Sequence, residues 1–154
     1  MSIGAVKPQS ILLVEDSEDD YEATMRAFKK ANLFNPISWC RSGREALDFL
    51  KRSSTTPEPG QPERPGLVLL DLNMPGLDGR QTLRLIKEDN ALRRMPVIIL
   101  TTSSDERDVE ACYHMGANTY VQKPVSFDGL IEAIKRLKEY WFEIALLPKD
   151  GHHE

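Results

Sequence analysis

The sequence predicts an α/β fold, a five-stranded parallel sheet doubly wound with helices on both faces. Two observations predict it. Short apolar runs alternate with amphipathic ones along the chain, as successive βα units require. Two of those runs, Leu67–Leu70 and Val97–Leu100, are apolar almost without interruption, as in central strands covered on both sides. At 154 residues the chain has the length of one ordinary domain, so residues 1–154 are read as a single unit with a core over about 9–145.

Five strands are expected, at Ile11–Val14, Ile37–Cys40, Leu67–Leu70, Val97–Leu100 and Thr119–Val121; the second and fifth are short and mix in polar residues. Five helices are expected between and after them. The first runs from about Asp19 to Ala31, with Tyr21, Met25 and Phe28 on one stripe, acids in its first turn and Lys29–Lys30 in its last, matching the helix dipole. The others fall near Gly43–Lys51, Gly79–Asn90, Asp105–Met115 and Phe127–Ala145, with Gly116 as the C-cap of the fourth. The stretch 53–66 carries Pro57, Pro59, Pro62 and Pro65 and reads as a loop between the second helix and third strand. A helix-to-strand loop emerges at the sheet end opposite the strand carboxyl ends, so a surface insertion remote from any chemistry is expected there.

Bulk properties narrow the function classes. A formal net charge of −4 gives no electrostatic case for nucleic acid. Cys40 and Cys112 have no metal or redox spacing and suit free thiols in a reducing compartment. His152 and His153 beside Glu154 read as a solvated tail. The only apolar run near the start, Ile11–Val14, is too short for a signal-peptide core and is followed at once by acid, and no stretch has the length of a bilayer span. A soluble cytoplasmic protein is expected.

The polar residues that follow the strands carry the chemistry. Glu15 and Asp16 follow the first strand, Asp71 the third, Thr101 the fourth, and Lys123 lies just past the fifth. In an open parallel sheet the binding crevice lies outside the strand carboxyl ends where strand order reverses. With the order 2-1-3-4-5 that point falls between strands one and three, so Glu15, Asp16 and Asp71 converge there, flanked by Thr101 and Lys123. Three gathered carboxylates repel one another, and a hard divalent cation such as Mg²⁺ offsets the repulsion. With a cation neutralising charge on a phosphoryl group, Asp71 can act as a nucleophile on phosphorus, Lys123 can pair with a phosphoryl oxygen and Thr101 can donate a hydrogen bond to another. Taken singly, each residue reads as a cap or turn residue. Four strand ends carrying the right groups together favour the functional reading.

At these residues the sequence resembles the response-regulator receiver domain of two-component signalling, a flavodoxin-like fold. The acidic pair Glu15–Asp16, the run Asp71-Leu-Asn-Met-Pro-Gly-Leu-Asp-Gly79, Thr101 after its strand, and Gly116-Ala-Asn-Thr-Tyr-Val-Gln-Lys-Pro124 carry the likeness, which spans about Gln9 to Ala145. The resemblance implies that Asp71 is the phosphoacceptor and that Asp16 ligates Mg²⁺ (or Mn²⁺) directly. It places Glu15 on the metal through a water and adds the backbone carbonyl of Asn73 as a ligand. It also implies a cis Lys123–Pro124 peptide and an aromatic switch at Tyr120, where Thr101 moves toward the phosphoryl group and Tyr120 turns inward, altering the face of helix four, strand five and helix five.

More narrowly, Tyr140-Trp-Phe-Glu-Ile-Ala-Leu-Leu-Pro148 looks like the tail of the small stand-alone regulators paired with cyanobacterial phytochromes and bacteriophytochromes. Leu130, Ile134, Leu137 and Trp141 form one core-facing stripe, while Tyr140, Phe142, Ile144, Leu146 and Leu147 add apolar surface beyond it. That surplus in the extension 140–148 suggests a symmetric homodimer through the helix four, strand five and helix five face and the tail, with folding back on the same domain as the alternative.

The expected partner is a sensor histidine kinase, and the protein is expected to be a switch more than a turnover enzyme. A phosphorelay intermediate or a phosphate sink for the kinase are the alternative outputs. A metal-dependent phosphohydrolase of the haloacid-dehalogenase type would need a second Asp two residues after the nucleophile, where this chain has Asn73. A nucleotide-binding module would need glycines after the first strand, and Glu15 to Asp20 contain none. With roughly ten residues after helix five, an appended DNA-binding domain is not expected.

Overall fold

The computed structural model describes residues 9–54 and 63–144. Its elements follow the alternation in the sequence: β1 Ile11–Val14, α1 Glu18–Lys30, β2 Ile37–Cys40, α2 Gly43–Ser53, β3 Leu67–Leu70, α3 Gly79–Glu88, β4 Val97–Thr101, α4 Glu106–Met115, β5 Thr119–Gln122 and α5 Phe127–Lys138. The five strands form one parallel sheet in the order β2-β1-β3-β4-β5, as expected.

Strand side chains alternate between two cores. Leu12, Val14, Val68, Leu70, Val97 and Ile99 face α2, α3 and α4, whose Ala46, Leu47, Leu50, Leu83, Ile86 and Cys112 pack against them. Ile11, Leu13, Leu67, Leu69 and Ile98 face α1 and α5 through Ala27, Phe28, Leu130 and Ile134. The period-2 alternation thus serves two buried faces, which is why β1, β3 and β4 read as unbroken apolar runs. The polar residues in β2 and β5 have the same cause: both strands lie at the sheet edges and are only half-buried. Along its open side β5 is covered in part by α4, since the Tyr113 hydroxyl accepts a hydrogen bond from the Tyr120 N–H at 3.0 Å. Cys40 and Cys112 are both buried and free.

Each helix starts on a side-chain cap. Ser17, Ser42, Asp78, Asp105 and Ser126 accept from the first-turn N–H groups, and Asp78 with Gln81 forms a reciprocal capping box. Gly116 ends α4 in a left-handed conformation, φ 109°, as its position in the sequence predicts. Element ends move by at most two residues from expectation except in α5. That helix is regular only to Lys138 and continues as a wider π-type turn over Glu139–Ile144. Apolar periodicity does not separate i→i+4 from i→i+5 bonding over so short a stretch. The expected stripe survives the change: Leu130 and Ile134 are buried, while Leu137 and Trp141 pack partly against the same core. No helix among the described residues is long and apolar enough to cross a membrane.

The proline-rich segment falls mostly outside the described residues, as do Pro57, Pro59 and Pro62. Its end is visible: Gly66 donates from its N–H to the Ser10 carbonyl at 2.9 Å, at the amino end of β1 and β3. Ala145 to Glu154, including Leu146, Leu147 and the terminal histidines, also lie outside the described residues.

Candidate functional site

Parallel pairing in register brings the carboxyl ends of β1, β3, β4 and β5 to one edge of the sheet. Asp71 donates its backbone N–H to the Val14 carbonyl at 3.1 Å, and Lys123 donates to the Thr101 carbonyl at 2.6 Å. Residues that are remote in sequence therefore meet within one side chain's reach.

Glu15, Asp16 and Asp71 each place a carboxylate oxygen so that the three atoms lie within 4.8 Å of one another. Glu15 is buried and Asp71 nearly so. The Lys123 ammonium sits 3.1 Å from Glu15 Oε1 and 3.9 Å from Asp20 Oδ2. Burial pushes the Glu15 carboxyl up to about 7, with the Lys123 ammonium opposing the shift and the Asp71 charge adding to it. Three oxygen donors with this spacing fit a hard divalent cation, which takes carboxylate ligands and relieves that repulsion.

The Glu15 backbone is fixed on both sides. Its N–H donates to the Cys40 carbonyl at 3.0 Å, and its carbonyl accepts the Trp39 indole N–H at 2.7 Å. Trp39 is itself held between Tyr21, stacked at 3.7 Å and 5°, and the Arg41 guanidinium 4.8 Å from the ring centre. Nothing in the spacing of Trp39 in β2 signals this support.

On the other side of Asp71, Asn73 donates its backbone N–H to Asp71 Oδ1 at 3.2 Å and its side-chain amide to Thr101 Oγ at 3.3 Å. Thr101 is fully buried. Tyr120 is half-buried, and its hydroxyl donates to the Ser103 carbonyl at 2.9 Å, which ties β5 to the loop after β4. Burial raises the Tyr120 phenol above its ordinary value. Sequence reasoning did not find Arg80 and Asp108, 28 positions apart, which form a bidentate pair with bonds of 2.9 and 2.7 Å. An Arg early in one helix and an Asp early in the next are common surface residues, so composition offers no signal for the pair.

One expectation is corrected. No described peptide bond is cis, so Lys123–Pro124 is trans. For a bond before proline the two forms differ by only about 0.5–1 kcal/mol in favour of trans, so the Lys-Pro pair itself does not dictate cis.

The profile of the response regulator receiver domain matches residues 11–135. The chain belongs to the response regulator receiver family. The receiver is 40% identical over 137 residues to Probable methanogenesis regulatory protein FilR2 of Methanothrix harundinacea, covering 89% of this chain and 86% of that protein. It is 36% identical over 148 residues to response regulator Rcp1 of Synechocystis, covering 96% and 99%. Solved structures agree. The Mn²⁺-bound form of Rcp1 superposes with a TM-score of 0.80 at 37% identity, covering 92% of this receiver and 100% of that chain. The phosphorylated cyanobacterial phytochrome response regulator RcpA gives 0.82 at 34% identity, covering 92% and 99%.

Proposed function

We propose that this receiver takes a phosphoryl group onto Asp71 from the phosphohistidine of a sensor histidine kinase in the cytoplasm, and that the modification switches a protein-interaction surface. The single observation that carries the reading is the meeting of Glu15, Asp16 and Asp71 oxygens within 4.8 Å, with the Lys123 ammonium against Glu15. Glu15, Asp16, Asp71 and the Asn73 carbonyl would hold Mg²⁺, or Mn²⁺, the ion named for the Rcp1 structure. Bound there, the cation neutralises charge on the phosphoryl oxygens.

The chain's own residues do the rest. An Asp71 carboxylate oxygen attacks phosphorus, the bond from phosphorus to the histidine nitrogen breaks, and the imidazole leaves with that electron pair. Lys123, whose ammonium lies 3.1 Å from Glu15 Oε1, would pair with a phosphoryl oxygen. Thr101, linked to the acceptor through Asn73, offers its hydroxyl to another. The Tyr120–Ser103 bond gives that event a route to α4 and β5. The same chemistry allows slow hydrolysis of the acyl phosphate. Asn73 in place of a second acid argues against sustained turnover, so the protein is a switch and not a turnover phosphatase.

Transfer from purified phosphorylated kinases tests the reading. Label is expected on this protein with Mg²⁺ and is expected to vanish when the metal is chelated; metal-independent labelling would refute it. A phytochrome-type kinase is the first donor to try, because RcpA is named as a phytochrome response regulator. The surface of α4, β5 and α5, with Tyr113 exposed on α4 and Tyr140 exposed in the π-type turn after α5, is proposed as a homodimer face together with the tail. Light scattering after size exclusion should give twice the chain mass; a monomer in both phosphorylation states would remove the dimer.

A further inference from the structure

Beyond the carboxylates, a closed circuit of contacts leaves the acceptor and returns to it. Asn73 links Asp71 Oδ1 at 3.2 Å to Thr101 Oγ at 3.3 Å. Two residues on, the Ser103 hydroxyl donates to Asp108 Oδ2 at 2.8 Å, while its carbonyl receives the Tyr120 hydroxyl. Asp108 on α4 is gripped by Arg80 through Nε at 2.9 Å and Nη2 at 2.7 Å. Arg80 also lies 3.7 Å from the cap residue Asp78. Gly79, the next residue back, donates to the Leu72 carbonyl at 3.0 Å and has no room for a Cβ against the Asp71 carbonyl oxygen. The start of α3 is thus fixed to the acceptor's own backbone, and Arg80 reaches from that fixed point to Asp108 on α4, which in turn holds Ser103 in the loop after β4.

Resting on the reading of Asp71 as acceptor, we infer that Arg80 is a positioning residue for phosphoryl acceptance, acting through Asp108 and Ser103 to hold the 102–105 loop, and with it Thr101 at the end of β4, in place for the incoming group. A bidentate guanidinium–carboxylate pair fixes direction as well as distance, and Asp108 spends its remaining capacity on Ser103. Removing Arg80 leaves Asp108 free to turn to solvent, and the loop loses its outer tether. Arg80, Asp108 and Ser103 bond to one another and not to Glu15, Asp16, Asp71 or Asn73, so the effect falls on the phosphoryl half of the site.

The probe is beryllium trifluoride, a tetrahedral mimic of the phosphoryl group, titrated into the full chain at saturating Mg²⁺. Arg80→Gln should weaken beryllofluoride binding about two- to fivefold, the scale of one well-oriented but partly exposed ion pair, while Mg²⁺ affinity stays at the wild-type value. Arg80→Lys should recover only part of the loss, because an ammonium cannot grip both oxygens. Ser103→Ala should add less in the Arg80→Gln background than alone, as expected for residues acting in one chain of contacts. Unchanged beryllofluoride affinity in Arg80→Gln would overturn the inference, and so would a loss matched by an equal loss of Mg²⁺ affinity, which marks a merely structural staple. A wild-type protein that binds Mg²⁺ but no beryllofluoride would overturn the acceptor reading itself.

Discussion

Asp71→Asn should abolish phosphoryl transfer from the kinase and, without metal, make the protein more stable. The first effect follows from chemistry: an amide oxygen carries no full charge to direct at phosphorus, and Asp71 supplies the attacking atom. The second follows from the cluster. Glu15, Asp16 and Asp71 hold oxygens within 4.8 Å, with one ammonium near Glu15 to offset them. Deleting one of those charges removes a repulsion of about 1 kcal/mol, on the scale of a one-unit pKa shift. For a domain of this size that corresponds to a rise in Tm of roughly 2–4 °C. Added Mg²⁺ should then raise the Tm of the wild type more than that of the variant, which has lost a ligand. Radiolabel transfer and melting curves with and without Mg²⁺ check both. A labelled Asn variant would show that the acceptor is misassigned.

Gly79→Ala should cost about 3 kcal/mol, a large effect for one methyl group. A Cβ at this position collides with the Asp71 carbonyl oxygen and lies 2.5 Å from Leu72 Cα, both backbone atoms of the segment that presents the acceptor. No rotamer change relieves a clash with backbone, so either α3 moves off or the turn after β3 shifts and carries Asp71 with it. A fall in Tm of roughly 6–12 °C follows, with slower phosphoryl transfer in whatever remains folded. Gly66→Ala is the milder comparison, since the nearest atoms to its Cβ belong to the Gln9 side chain, whose Oε1 and Cδ can swing away and leave only a small shift at Cβ. Should Gly79→Ala melt with the wild type, the close packing of α3 on the acceptor would be wrong.

Much of this was legible in the sequence because the sheet is doubly covered. Leu67–Leu70 and Val97–Leu100 could be placed as central strands from apolar character alone, and once strand order is known, Glu15, Asp16 and Asp71 have nowhere to go but one corner. The expected helix starts fall within one residue of the observed ones, where Ser17, Ser42, Asp78 and Ser126 cap them, a local signal present in the sequence though not used to place them. The rest depended on contacts with no local signature. Trp39 supports Glu15 through an indole N–H that acts across 24 positions, and Arg80 meets Asp108 across 28. Both are ordinary residues for their elements, and only the packing of α3 beside α4, or of β2 beside β1, gives them a task. The π-type turn after Lys138 was hidden for another reason: it keeps the same apolar stripe facing the core while altering the backbone bonding.

The two thiols in the core behind α2, α3 and α4 have a practical consequence. Burial pushes Cys40 up to about 12 and Cys112 up to about 11, so at neutral pH neither offers a thiolate to an electrophile. A maleimide dye or spin label applied to the native fold should therefore ignore both. A cysteine introduced at exposed Tyr113 would be the one reactive handle among the described residues, and motions of α4 could be followed optically without first stripping the native sulfur from the core.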